Sequence, residues 1–366
     1  MSDLQELYVL LAAIYLVDCL HGVRRDARVF VARWKRFRLQ EGGALFGNSE
    51  FGWNLAWPLP PLGTLHVCDV PVLALGAQGV YGSRLLEWEV AASVRAEARH
   101  LHEGPRRYVR ASSARQAALW AANLRELAAL SPEARAKELE HRERARYDTR
   151  WVAERRAAAA REQARLMPFA QAQVFLCFLL VPLAIARVGL VPALPWLLVA
   201  LVGVQLSGVV MFARTHARLE PAATLERRAA LASVAISPPG LMRAVDLLTR
   251  DLYCGAAPLA VASVLLERAD FERAAGRALR AARHPPPPRE NEPRELLAEA
   301  REREQRALER FLRAQDLDPE RLDAPPERLG EDCLCYCPRC QSQFVIPAGI
   351  CTACSGVELA PFALAP

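Results

Sequence analysis

The run Pro168–Ala213, PFAQAQVFLCFLLVPLAIARVGLVPALPWLLVALVGVQLSGVVMFA, decides the fold class, because Arg187 is its only charged residue. A bilayer core about 30 Å thick takes roughly 20 apolar residues of helix to cross. The run holds two such stretches, Pro168–Ala186 and Gly189–Ala213, joined by little more than Arg187 and Val188. So short a link makes them a helical hairpin. Within it Gly203 and Ser207 form a small-x-x-x-small pair, and Gln171, Gln173 and Gln205 are placed to hydrogen-bond across helices; packing is the expectation for all five. Two helices are too few to enclose a permeation path.

Charge on either side of the run sets its orientation. Arg155, Arg156, Arg161 and Arg165 precede it and Arg214, His216 and Arg218 follow it, so the positive-inside bias places both flanks in the cytosol. A further apolar run, Leu7–Val23, is near the lower limit of about 17 residues for a span. Asp3 and Glu6 stand before it, Arg24, Arg25 and Arg28 after it, and no small-residue cleavage site is present. It therefore reads as an uncleaved anchor with its amino terminus outside. Asp18 inside this run reads as an interfacial acid near Arg24 and Arg25, the alternative being a functional intramembrane carboxylate. The expectation is three spans, with both large soluble regions cytosolic. Leu252–Leu266 is too short to cross and reads as a buried helix.

The remainder fits a membrane protein with large soluble parts. In 366 residues, 52% are apolar and 24% charged, too apolar for disorder and too polar for a many-helix transporter. The net charge of +6 is unevenly spread: −3 over 1–23, +9 over 24–166, +1 over 167–213, +4 over 214–284 and −5 over 285–366. Positive charge thus collects beside the apolar runs, as it does at a cytosolic membrane face. Arg24–Arg38, with seven basic residues against one acid, is expected to lie against anionic lipid headgroups.

Residues 24–130 read as a β-rich module closed by a helix. Strands are expected at Val29–Val31, Trp34–Leu39, Trp53–Trp57, Leu65–Val67, Val72–Leu75 and Tyr108–Val109, and a helix over 114–130 with Leu119, Trp120, Leu124, Leu127 and Leu130 on one face. This element order resembles a PH-like or GRAM-like module. A connecting helix over 131–167, started by Ser131-Pro132-Glu133, feeds the hairpin of 168–213. Residues 214–284 read as a helical unit with helices near 239–251, 256–267 and 269–282. Residues 285–332 read as two Pro-rich linkers, Pro285–Pro288 and Asp318–Asp332, around a charged helix at 294–315 whose apolar edge is Leu297, Leu308, Phe311 and Leu312. The runs YLVDCLHGVRRDA at Tyr15–Ala27, WPLPPLG at Trp57–Gly63 and SARQAALWAANLREL at Ser113–Leu127 together resemble a family of predicted bacterial membrane proteins. The resemblance covers the first third to half of the chain; it implies an inner-membrane location and carries no activity.

The end of the chain, 333–366, holds the strongest chemical signal. Of ten cysteines, Cys333, Cys335, Cys337, Cys340, Cys351 and Cys354 crowd together, with C-P-R-C and C-T-A-C separated by ten residues. Two C-x-x-C knuckles at that distance let Cys337, Cys340, Cys351 and Cys354 converge on one Zn²⁺ across a short hairpin near Gln343–Ile346. The pattern resembles a zinc ribbon, although Gln341 replaces the glycine often seen after the first knuckle. Disulfides, a redox pair and iron are the alternatives, and a reducing cytosol disfavours the first. Cys333 and Cys335 are surplus, and either is able to stand in for Cys337. Four thiolates close the coordination sphere, so the zinc is expected to be structural.

No phosphate-binding glycine loop, nucleophile elbow or H-E-x-x-H is present. His100, His102 and Glu103 form the best remaining constellation, read as a solvated turn, and Asp246 and Asp251 fall too far apart around a helix to pair. Three readings follow: a membrane-anchored, non-enzymatic interaction protein docking a protein partner through its ribbon; a membrane-tethered nucleic-acid-binding regulator using the +9 segment; and a membrane enzyme with a site of unfamiliar form. Nucleic acid is disfavoured at the ribbon, where from Cys333 onward Arg339 and Glu358 are the only charged residues and the preceding segment is acidic.

Overall fold

The computed structural model describes helical residues 6, 9, 10 and 13, strands within residues 20–68 and most of residues 91–362, the exceptions there being 99, 111–113, 220–223, 237, 243, 245–247, 249–251, 254, 288–293 and 355. The chain divides into two compact units. The first comprises Met1–Asp69, Ala111–Ala117 and Thr149–Pro258, and the second Val70–Arg110, Ala118–Asp148 and Leu259–Pro366. The boundary cuts residues 24–130 and residues 214–284, each of which the sequence reads as one piece.

In the first unit β1 (Leu20–Arg24) pairs antiparallel with β4 (Phe51–Leu55), while β2 (Ala27–Arg33) lies between β3 (Arg36–Gln40) and β5 (Thr64–Cys68). Strands expected near 29–31, 34–39, 53–57 and 65–67 are therefore present, whereas Val72–Leu75 lies outside the described residues. Among the described residues of this unit these strands form two small sheets. Leu20–Val23, the expected end of the amino-terminal span, belong to β1, and most of Leu7–Cys19 lies outside the described residues.

The hairpin dominates this unit. One continuous helix, Thr149–Val188, and a second, Val191–Leu219, are each long and apolar enough to cross a membrane. The first comprises α3 (Thr149–Phe175; α1 and α2 belong with the second unit below), a π-helical turn at Leu176–Leu180 and α4 (Val181–Val188). Pro182, lacking an amide hydrogen, follows the π turn, a common place for irregular hydrogen bonding inside a helix. The chain reverses at Gly189 (φ 85°), whose amide donates to the Ile185 carbonyl at 2.9 Å; Arg187 and Val188, expected as the link, are helical. Then α5 (Leu190–Leu219) runs back along α3. Its open end is tied by Glu162, which is buried between Arg165 and Arg218, and by Arg155 Nη1 donating to the Leu219 carbonyl at 3.2 Å.

Two short helices, α6 (Thr224–Ile236) and α7 (Pro238–Met242), fold onto the hairpin. Gly208 of α5 admits the fully buried Leu241, since a Cβ there would lie 2.5 Å from the Leu241 Cδ1. Gln205 donates to the Val234 carbonyl, as expected of a cross-helix amide. Gly203 and Ser207 instead face outward and Gly203 meets nothing within 4 Å, so this small-residue pair packs no helix among the described residues. Gln171 is exposed, and Gln173 is fully buried with its amide 4.0 Å from Cys177 on its own helix. Large side chains on the outer face of α5 stay uncovered, among them Val191 at 80% and Trp196 at 78% exposure. In water such a face is costly, and in lipid it is not.

The second unit is built from a three-stranded meander, helices and a cysteine-rich end. The meander is β6 (Arg95–Glu97), β7 (His100–Glu103) and β8 (Arg106–Arg110). Helix α1 (Ala114–Ala128) starts in the first unit and continues into the second, burying Trp120, Leu124 and Leu127 as its spacing predicts, whereas Leu119, expected on the same face, is exposed. Helix α2 (Pro132–Ala145) starts on the expected Ser131 cap, whose hydroxyl accepts from the Ala134 amide at 3.3 Å. It stops at Ala145 instead of running on to Met167. Arg135 reaches back to donate to the Leu127 and Leu130 carbonyls, both at 2.8 Å, closing the end of α1. Helix α8 (Pro258–Leu265) is buried along most of its length, as its apolar composition requires. Helix α9 (Arg268–Arg283) packs on α10 (Arg294–Ala314), which buries Leu308, Phe311 and Leu312, and Phe311 stacks on Tyr147 with ring centroids 4.9 Å apart.

Candidate metal centre

Residues expected as a loose second linker form a docked strap. Asp318 caps the short helix α11 (Pro319–Leu322) by accepting from the Glu320 amide at 3.1 Å, and Pro319 is buried. Arg283, at the end of α9, gathers three carboxylates: Glu309 of α10 at 2.9 Å, and Glu320 and Asp323 of the strap at 2.7 and 3.2 Å. His284 adds a contact to Asp323 at 3.2 Å, and Arg280 donates to the Leu322 carbonyl at 2.8 Å. The hydrogen bonds of Glu320, Glu309 and Asp323 hold Arg283 charged, raising it further above its ordinary value against the opposing effect of burial.

Beyond the strap the chain makes five two-residue strands. β9 (Cys335–Tyr336) pairs with both β10 (Gln343–Phe344) and β13 (Ala360–Pro361), and β11 (Ile350–Cys351) pairs with β12 (Val357–Glu358). The first knuckle, Cys337-Pro338-Arg339-Cys340, forms the turn from β9 to β10, held by Gln341 N to the Cys337 carbonyl (2.8 Å) and Cys337 N to the Ser342 carbonyl (2.9 Å). The second, Cys351-Thr352-Ala353-Cys354, turns from β11 towards β12, with Gly356 N on the Cys351 carbonyl at 3.1 Å.

These two turns bring together the four cysteines that the spacing singles out. The sulfurs of Cys337, Cys340, Cys351 and Cys354 all lie within 4.8 Å of one another. Among the described residues no other group of three or more histidine, cysteine or acidic side chains is gathered this way. Cys340 Sγ and Cys351 Sγ are 3.8 Å apart, and zinc–sulfur bonds of about 2.3 Å at tetrahedral angles separate sulfurs by about that distance. The donor set therefore suits a tetrahedral, thiophilic ion. Cys337 and Cys351 are buried, Cys354 half-buried and Cys340 exposed. Burial pushes the Cys340 thiol up, but the Ser342 hydroxyl and backbone, with the Cys337 and Cys354 thiols, outweigh it and hold Cys340 at about 7. Burial raises Cys337 and Cys354. One sulfur is thus ready to ionise near neutral pH, and a cation is what would draw the proton from the rest.

Cys335 is not interchangeable with Cys337. It is fully buried in β9 and its Sγ donates to the Ile346 carbonyl at 2.8 Å, away from the cluster, and Cys333 is a free, half-buried thiol outside it. Of the other expected positions, His100 and His102 share β7 with ring centroids 6.1 Å apart, and His102 Nε2 stands 4.0 Å from an oxygen of Glu97 on the neighbouring β6. Asp18, Asp246 and Asp251 lie outside the described residues. Sequence reading missed the Arg283 clamp and the docking of the strap, although Asp318-Pro319-Glu320 carries a helix-start pattern of cap, proline and acid. Comparison with protein-family models, with curated proteins and with solved structures gives no match.

Proposed function

We propose that this chain is a membrane-anchored interaction protein, not an enzyme, whose cysteine module is a structural zinc ribbon presenting a surface to a protein partner. The observation that carries the reading is the convergence of four sulfurs within 4.8 Å on two short turns. Cys337, Cys340, Cys351 and Cys354 would be the ligands, and a sphere closed by four thiolates leaves no place for water or substrate. The metal would then serve the fold, and the fold the surface. Support for a surface comes from the tip between the knuckles, Val345–Ile350, which is exposed throughout and carries no charge, with Val345 at 61% and Ile350 at 59% exposure. Exposed apolar segments of this kind mark sites of association.

The hairpin would anchor the protein in the cytoplasmic membrane, crossing twice, so that both arginine-rich flanks and the ribbon stay in the cytosol. Arg24–Arg38 would meet anionic headgroups, each basic residue contributing about 1 kcal/mol. Nucleic acid is a poor partner for the ribbon, because the −5 charge of residues 285–366 repels phosphate. The test is affinity capture from detergent extracts with the intact protein and with Cys340→Ser. A partner retained by the first and lost by the second is expected; equal capture by both defeats the docking reading.

A further inference from the structure

The strap at 318–332 is bonded on two sides. On one side Arg280, Arg283 and His284 of the α9 end hold Leu322, Glu320 and Asp323. On the other, the first knuckle reaches it through two glutamines. Gln341 Nε2 donates to the Ala324 carbonyl at 3.1 Å, and Gln343 Nε2 donates to the Glu327 carbonyl at 2.6 Å while its Oε1 accepts from the Leu329 amide at 2.9 Å. Arg328 closes the loop by donating to the Cys333 carbonyl at 2.7 Å.

Gln341 is the informative residue. It follows the ligand Cys340 directly and adopts φ 62°, a left-handed conformation that glycine takes at no steric cost and a side chain resists. Glycine would suit the knuckle better; only a side chain can reach Ala324. A strained position held by a long polar residue points to a role for that side chain.

We propose that the metal centre and the strap form one switch, in which loading of the four thiolates fixes the turn at Cys340–Gln341 and so delivers the Gln341 and Gln343 amides to the strap. With the metal bound, the strap is clasped between the knuckle and the Arg283 clamp. Without it, the knuckle loses the constraint that holds Gln341 left-handed, and the strap stays tied only on the α9 side. The ribbon is then a sensor whose occupancy is read by the α9–α10 pair. This rests on the reading of the cluster as a zinc centre.

The test is hydrogen exchange on the full chain in lipid nanodiscs, with and without a zinc chelator, alongside metal content by mass spectrometry. In the unaltered protein holding one zinc per chain, chelation should speed exchange in the ribbon and also across 322–329, with the Leu329 amide most affected. Side-chain bonds of this kind slow exchange by roughly fivefold each. Gln341→Gly combined with Gln343→Ala should keep the zinc and the ribbon's protection, yet exchange fast across 322–329 whether or not metal is present. A strap indifferent to chelation in zinc-loaded unaltered protein overturns the switch and leaves the zinc centre standing. A double variant whose strap still responds to metal overturns it too. Absence of bound zinc, even after its addition, removes both the centre and the switch. If the double variant fails to load, the unaltered protein decides alone.

Discussion

At the scale of residues, the molecule separates cysteines that look equivalent. Cys340→Ser and Cys354→Ser should abolish metal binding, whereas Cys333→Ser should leave it nearly unchanged, as metal content of the purified proteins will show. Cys335→Ser should keep the metal but lower thermal stability, because the fully buried Cys335 packs in β9 with its sulfur on the Ile346 carbonyl. A second residue-level test concerns glycine. At Gly189 (φ 85°) a β-branched side chain is strained whatever the space, so Gly189→Val should destabilise the reversal by roughly 1–2 kcal/mol. Gly208→Leu should cost about 1–3 kcal/mol by overpacking against Leu241. Gly203→Leu should be nearly silent, since nothing lies within 4 Å of that site. Thermal unfolding in detergent compares the three.

At the scale of elements, the clamp on Arg283 should be sensitive to acid. Burial pushes Glu309 up, but its bonds from Gln305 and Arg283 prevail and hold it below its ordinary value, and Arg283 lowers Glu320 likewise. A carboxylate with a depressed folded-state pKa contributes stability that is full above its unfolded value and disappears as pH falls through the folded one. The strap should accordingly loosen as pH falls below about 4.5, seen as a rise in its hydrogen exchange. Glu309→Gln combined with Glu320→Gln should flatten that rise; an unaltered acid response would exclude the clamp as its source. The ribbon is the other element to test alone. A fragment of residues 330–366 has too little apolar surface to fold unaided, as domains below about 40 residues usually do. It should gain structure on adding zinc and lose it to chelator, with an apparent ~10–16 kcal/mol coming from the metal. Circular dichroism that is the same in both conditions would contradict this.

At the scale of the whole molecule, the question is which soluble parts share a side of the membrane. Two crossings return the chain to the side it left, and arginines flank both ends of the hairpin. Reporter fusions at residues 140 and 330 should both signal cytosol, and one at residue 189 the opposite face. A periplasmic signal at 140 or 330 would reject the topology. Fusions also probe the amino terminus, where β1 has taken Leu20–Val23 from the expected span: with two crossings it lies in the cytosol, with three outside.

What the sequence determined by itself is local or carried by composition. The apolar run of 168–213 needs no partner to be recognised, because a bilayer selects for length and absence of charge. The convergence of Cys337, Cys340, Cys351 and Cys354 was likewise legible, since two C-x-x-C turns at that spacing suit a tetrahedral ion. The buried faces of α1 and α10 follow from helical spacing. Only tertiary structure decided the rest. Leu20–Val23 are apolar enough for either a helix in lipid or a strand, and pairing with Phe51–Leu55 settles them as strand. Gly203 and Gly208 look alike in sequence, yet only Gly208 meets a buried leucine from α7. Asp318–Asp332 has the proline content of a linker, and becomes a strap because Arg283, distant in the chain, supplies the charge for its acids. Contacts between residues far apart in sequence leave no periodic trace, and the physical partner must be in place before they can be read.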